Sequence, residues 1–219
     1  MTRRVRSKAL VTDSFAIELE PLTEDAAWFV YLFTLTDCTG FKVGFSCNPL
    51  QRVCTFSSRY FERFDLAEST LFAVADCDAS RAVEADLKTL LGPHRIEAPD
   101  WVPLDAGGHT EWFSAVYFDD AKARLHELAN GDLARFSSAF DRFASQLARV
   151  RQGFELWAIS QVQRVSEARE FVNRGYAVRD QSAPLRDWLA AYRYFDIPLF
   201  ADDPELLRSI QRSVGMATD

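Results

Sequence analysis

Trp28-Phe29-Val30-Tyr31-Leu32-Phe33-Thr34-Leu35-Thr36, then Asp37-Cys38-Thr39-Gly40, then Phe41-Lys42-Val43-Gly44-Phe45-Ser46 is the stretch that decides the fold. Two runs rich in β-branched and aromatic residues flank a short polar segment that carries a glycine, which is the pattern of a β-hairpin. Asn48-Pro49 follows at once. Asparagine is a strong N-cap and proline suits the first helical position, so a short helix starts here, with Val53 and Phe56 on its apolar side. Arg52 falls in the first turns of that helix, close to the hairpin.

Working outward, the aromatic-rich Tyr60 to Phe64 leads into Ser69 to Ala75, whose short apolar run reads as a buried strand. Asp78 caps a predicted helix that runs to Leu91, with Ala79, Val83, Leu87 and Leu90 on its inward stripe and Glu84 at the margin of that stripe. Gly92-Pro93 ends it. Residues 93–110 read as a loop, Trp112 to Val116 as a short strand, and Asp119 opens a helix with Ala121, Leu125 and Leu128 facing inward. From Leu133 onward the periodicity is helical: Leu133, Phe136, Phe140, Phe143, Leu147 and Val150 form one segment, and Phe154 to Val172 a second that ends at Gly175. The two segments suit an antiparallel helical hairpin, and shorter helices are expected at Leu185–Phe195 and Pro204–Val214. The division is a leader (residues 1–27, with an edge strand expected at Phe15–Leu19), a unit at 28–130 and a helical unit at 131–219.

With 219 residues, 48% hydrophobic content, 18 Phe and 5 Trp, the chain can fill sizeable cores. It has no apolar run of membrane-spanning length, and its basic N-terminus lacks the apolar stretch of a secretory signal. The expectation is a cytoplasmic protein without a membrane partner. Cys38, Cys47, Cys54 and Cys77 have neither Cys-x-x-Cys pairing nor histidines at zinc-ligand spacing, so reduced and mostly buried thiols are expected. Residues 1–130 carry 13 Lys and Arg against 20 Asp and Glu, and the remainder carries 12 of each. Such a balance excludes a broadly basic nucleic-acid surface, because affinity for a phosphate backbone comes mainly from counterion release. It leaves room for a local cationic cleft, to which Lys42, Arg52, Arg59 and Arg63 are the candidate contributors, with Arg59 and Arg63 assigned to nucleic-acid binding.

Tyr31, Lys42, Gly44, Arg52 and Glu84 combine a phenol, two cations and a carboxylate, a set that suits metal-assisted phosphodiester hydrolysis. Their order and spacing resemble the GIY-YIG nuclease superfamily, in its phage and bacterial T5orf172-like branch, where the second signature reads Lys-Ile-Gly followed by Asp/Asn-Pro-x-x-Arg. Val30-Tyr31 stands at the first signature, Lys42-Val43-Gly44 at the second, and Arg52 within Asn48-Pro49-Leu50-Gln51-Arg52 at the arginine. Glu84 stands at the metal-binding glutamate and Glu111-Trp112-Phe113 at the closing strand, while Lys88 occupies a position where a histidine is often found. The resemblance spans about Trp28 to Leu128. It implies an α+β fold, with a small, mainly antiparallel three-stranded sheet flanked by helices, followed here by an all-helical C-terminal unit.

The same resemblance implies an endonuclease acting on nucleic acid, foremost DNA, with Mg²⁺ or Mn²⁺ held at Glu84. Arg52 would stabilise charge on the phosphoryl oxygens through its fork of donors. Tyr31 would be the general base, its pKa brought down from about 10 by a cation; Lys42, on the paired strand, is the expected source. Gly44 is the structural member of the motif, and Tyr60, Ser46, His94, His109 and Glu111 are secondary candidates. Each residue taken singly also has an ordinary structural role, and two other functions stay open: a catalytically silent DNA-binding module and a protein-interaction module. The Phe-rich helical stripes suit core packing or homodimer contacts better than a cofactor site.

Overall fold

The computed structural model describes residues 28–173 and 180–217. The edge strand expected at Phe15–Leu19 and the helix end expected at Gly175 lie outside these. The hairpin forms as read, with β1 at Trp28–Leu35 and β2 at Gly40–Ser46, antiparallel in a register that sets Tyr31 opposite Gly44 and Phe33 opposite Lys42. At the turn, the Asp37 carboxylate accepts hydrogen bonds from the Thr39 amide (3.0 Å) and hydroxyl (2.7 Å). The helix after it is α1, Pro49–Phe56, and its cap is Asn48, whose side chain accepts from the Gln51 amide at 3.1 Å.

The fold is α+β, and the sheet has five strands rather than the three expected, in the order β4-β2-β1-β3-β5 with every pair antiparallel. β3 covers Phe64–Val74, β4 Trp112–Ser114 and β5 Phe136–Ser138. β5 was expected to be helical, since Phe136, Phe140 and Phe143 recur at helical spacing; pairing of Phe136–Ser138 with Phe72–Thr70 at the sheet edge overrides that local pattern. Between the strands lie α2 (Tyr60–Arg63), α3 (Cys77–Leu91) and α4 (Phe118–Leu128). Asp76, not Asp78, caps α3 by accepting from the Ala79 amide at 2.7 Å. The inward stripe is also rotated from expectation, with Leu87 and Leu91 buried and Leu90 45% exposed.

Because side chains alternate across a strand, the sheet builds two cores. On one face Val30, Leu32, Val43, Phe72 and Phe113 meet Leu87 and Leu91 of α3 and Ala121 and Leu125 of α4. On the other, Tyr31, Phe33 and Leu71 meet Leu50, Val53 and Phe56 of α1 and the C-terminal helices. Those helices are α5 (Ala139–Asn173), α6 (Ala183–Tyr194) and α7 (Pro204–Ser213). In place of an antiparallel pair, α5 is one helix of 35 residues that runs through Gly153. An interior glycine costs only about 1 kcal/mol relative to alanine, which the burial of Phe143, Leu147, Phe154 and Ala158 outweighs. Phe143 packs edge-on against Phe33 at 6.1 Å, so a single core crosses the boundary drawn at 130/131. The thiols are free but less buried than expected: Cys38 and Cys47 are exposed, Cys54 and Cys77 half-buried. None of the described helices is long and apolar enough to cross a membrane.

Candidate active site

Four separate stretches bring their predicted residues around the middle of the hairpin. Tyr31 projects from the middle of β1, buried at 1% exposure, and its ring stacks on Phe33 at 4.2 Å. Gly44 lies directly across the ladder, and a Cβ there would fall 2.3 Å from the Tyr31 hydroxyl oxygen. The glycine is therefore what admits the tyrosine ring. From the first turn of α1, Arg52 donates its Nε–H to the Tyr31 hydroxyl at 3.4 Å, and its guanidinium lies over the Phe56 ring at 4.6 Å.

Lys42 points to the same side of the sheet. It is 1% exposed, donates to the Val43 carbonyl at 2.7 Å and pairs with a Glu111 carboxylate oxygen at 3.2 Å. Glu111 comes from the residue before β4, whose carbonyl accepts from the Val43 amide. Its other carboxylate oxygen faces Lys88 at 3.4 Å, and Lys88 in turn reaches Glu84 at 3.3 Å. Glu84 thus joins the cluster through Lys88 and Glu111 from the rim of the sheet. Among the secondary candidates, Glu111 is the one brought into this network. Ser46 accepts from the Asn48 amide, Tyr60 is buried against Phe143, His94 stacks on Tyr117, and His109 bonds the Pro103 carbonyl.

The electrostatics redistribute the roles expected of the two strand residues. Burial pushes the Tyr31 phenol up to about 12, against the opposing influence of the Arg52 charge and its hydrogen bond. The neighbouring cation that lowers it is Arg52, in place of the expected Lys42, and it does not overcome desolvation. Burial also brings the Lys42 ammonium down to about 8, with Glu111 pulling in the opposite direction. Glu111 is held at about 2 in spite of burial, by its Thr110 hydrogen bond and by Lys42 and Lys88. Burial thus brings the Lys42 ammonium toward neutral pH.

The loop after α3 adds two contacts that carry no motif. Arg52 donates through Nη1 to the Ala106 carbonyl at 2.7 Å, and Gly108 rests against Arg52 and Lys42, in a backbone conformation (φ +71°) that favours glycine. The Gly107-Gly108 pair was the only signal for this contact in the sequence. Arg59 is neutralised by Glu62 and by Asp187 at 3.4 Å, and Arg63 lies over the Trp101 ring at 5.4 Å.

Donors for a divalent cation here would be the carboxylate oxygens of Glu84 and Glu111, hard ligands of the type that Mg²⁺ selects, and Mg²⁺ binds through one or two carboxylates while keeping waters and substrate oxygens. The Lys88 ammonium already stands as a cation between Glu84 and Glu111. The donor set fits an ion of this kind. Among the described residues, no group of three or more His, Cys, Asp and Glu gathers into a fuller site.

No curated protein and no solved structure matches the chain. Residues 28–130, a little under half of it, match the family model of the T5orf172 domain, a domain of GIY-YIG-like, nuclease-associated proteins, which points to a nuclease-like or DNA-related role.

Proposed function

We propose that this protein is a metal-dependent endonuclease that hydrolyses phosphodiester bonds of nucleic acid, foremost DNA. The observation that carries the reading is the convergence of Tyr31, Lys42 and Arg52 on one face of the hairpin, with Glu84 linked to them through Lys88 and Glu111. Mg²⁺ or Mn²⁺ at Glu84 would supply Lewis-acid stabilisation and a more acidic water. Arg52 binds the phosphoryl oxygens; to do so it exchanges the Ala106 carbonyl for substrate, a better partner for a guanidinium because it is charged. The proton-accepting role passes from Tyr31 to the amine form of Lys42, since a phenol at about 12 stays protonated at neutrality and an ammonium at about 8 does not stay wholly so. Tyr31 then orients Arg52 through its hydroxyl. The acidic balance of residues 1–130 makes binding weak and salt-sensitive, with the protein in the cytoplasm.

The test is cleavage of single-stranded, duplex and branched DNA and of RNA with Mg²⁺ or Mn²⁺, by the wild type and by Glu84→Ala and Arg52→Ala. Metal-dependent nicking that both variants lose is the expected result. No cleavage of any substrate, with DNA binding retained, would favour a silent DNA-binding module.

A further inference from the structure

Lys88 sits on α3 one turn after Glu84, and its ammonium is shared by two carboxylates, Glu84 at 3.3 Å and Glu111 at 3.4 Å. A divalent ion held by Glu84 shares that carboxylate with this ammonium, and the two positive charges repel each other across it. We infer that Lys88 is a resident cation of the site, which competes with the divalent metal for Glu84 and swings onto Glu111 when the metal binds. The inference rests on the metal reading of Glu84 proposed above and adds a control on when that metal loads.

Three observations support the exchange. The Lys88 side chain is 30% exposed and its Glu84 partner 17% exposed, so the ammonium has room to move without breaking a core. Glu111 keeps one carboxylate oxygen on the buried Lys42 and presents the other to Lys88. The displaced ammonium therefore retains a charged partner, which lowers the cost of leaving Glu84. The pairing also explains how Glu84 and Glu111 are held close together before any metal arrives, since their mutual repulsion is cancelled by a cation between them. The consequence is a site with low affinity for free metal. Loading is favoured when nucleic acid brings phosphate oxygens, which add ligands to the metal and offer Lys88 a further anion.

The experiment is calorimetric titration of Mn²⁺ into the metal-free full chain, without nucleic acid, for the wild type, Lys88→Ala, Lys88→Arg, Glu84→Ala and Lys88→Ala with Glu84→Ala. At about 4 Å, one ammonium weakens the binding of a doubly charged ion by about tenfold even with water-like dielectric and physiological salt. Lys88→Ala is therefore expected to bind Mn²⁺ about tenfold more tightly than the wild type. Lys88→Arg, which keeps the charge, should gain nothing, and adding Glu84→Ala should abolish the gain. Equal affinity in wild type and Lys88→Ala, lost in both with Glu84→Ala, would overturn the competition and leave Glu84 as a metal ligand. Binding indifferent to Glu84, or no binding to any variant, would overturn the metal reading together with this inference.

Discussion

Gly44→Ala is the sharpest perturbation of this site, because its effect follows from one close approach. A methyl at position 44 would lie 2.3, 2.5 and 2.9 Å from the hydroxyl oxygen, Cζ and Cε2 of Tyr31. The ring has little room to withdraw: it is buried, stacked on Phe33 at 4.2 Å, and tied to Arg52. Forcing extra volume into a packed core costs about 1–3 kcal/mol, against which replacing glycine by alanine returns about 0.4–1 kcal/mol through the unfolded chain. The net loss is about 1–2 kcal/mol, with Tm falling about 2–4 °C for each kcal/mol in a protein of this size. The decisive assay is a double-mutant cycle by urea unfolding, using Tyr31→Val to remove the ring. In that background the methyl at position 44 has space, so Gly44→Ala should be neutral or slightly stabilising, giving a coupling of about 1–3 kcal/mol. If Gly44→Ala costs the same with and without the Tyr31 ring, then the glycine does not exist to admit the tyrosine, and the packing account of this motif is wrong.

Two further predictions concern chemistry and architecture. With the neutral amine of Lys42 as proton acceptor, cleavage should rise with pH and level off above about 8, following the lowered ammonium pKa; Lys42→Arg, charged throughout, should abolish that limb, and a wild-type limb near the ordinary lysine value would refute the assignment. Phe143→Ala should destabilise the whole protein by about 3–5 kcal/mol in one cooperative transition, because Phe143 is buried against Phe33 and Tyr60 beneath the sheet; separate melting of the helical part would show instead that the sheet folds without α5.

The hairpin, its turn and the Asn48-Pro49 helix start were legible because their causes lie within a few residues: β-branched and aromatic runs, a capping side chain and a ring-fixed φ. The order of Tyr31, Lys42, Gly44, Arg52 and Glu84 was legible for the same reason, as spacing along the chain. What α5 does was not. Its apolar stripe and Gly153 are equally compatible with two short helices, and only the exposed face of Tyr31, Phe33 and Phe64, created by β1 and β3, selects one long helix to cover it. Phe136 shows the same limit, since an open sheet edge at Phe72 supplies the hydrogen bonds that turn a helical pattern into a strand.

By itself, then, the amino-acid sequence determined which residue types could perform phosphodiester chemistry and which short elements carry them. Tertiary structure decided their protonation and partnership. The Tyr31 phenol rises and the Lys42 ammonium falls because each is desolvated by segments distant in the chain. Glu111 joins the cluster because β2 pairs with β4 and sets it beside Lys42, and Lys88 because α3 brings it within 3.4 Å of Glu111. Burial and Coulomb interactions depend on what packs within a few ångströms in space, a quantity that separation along the chain does not encode.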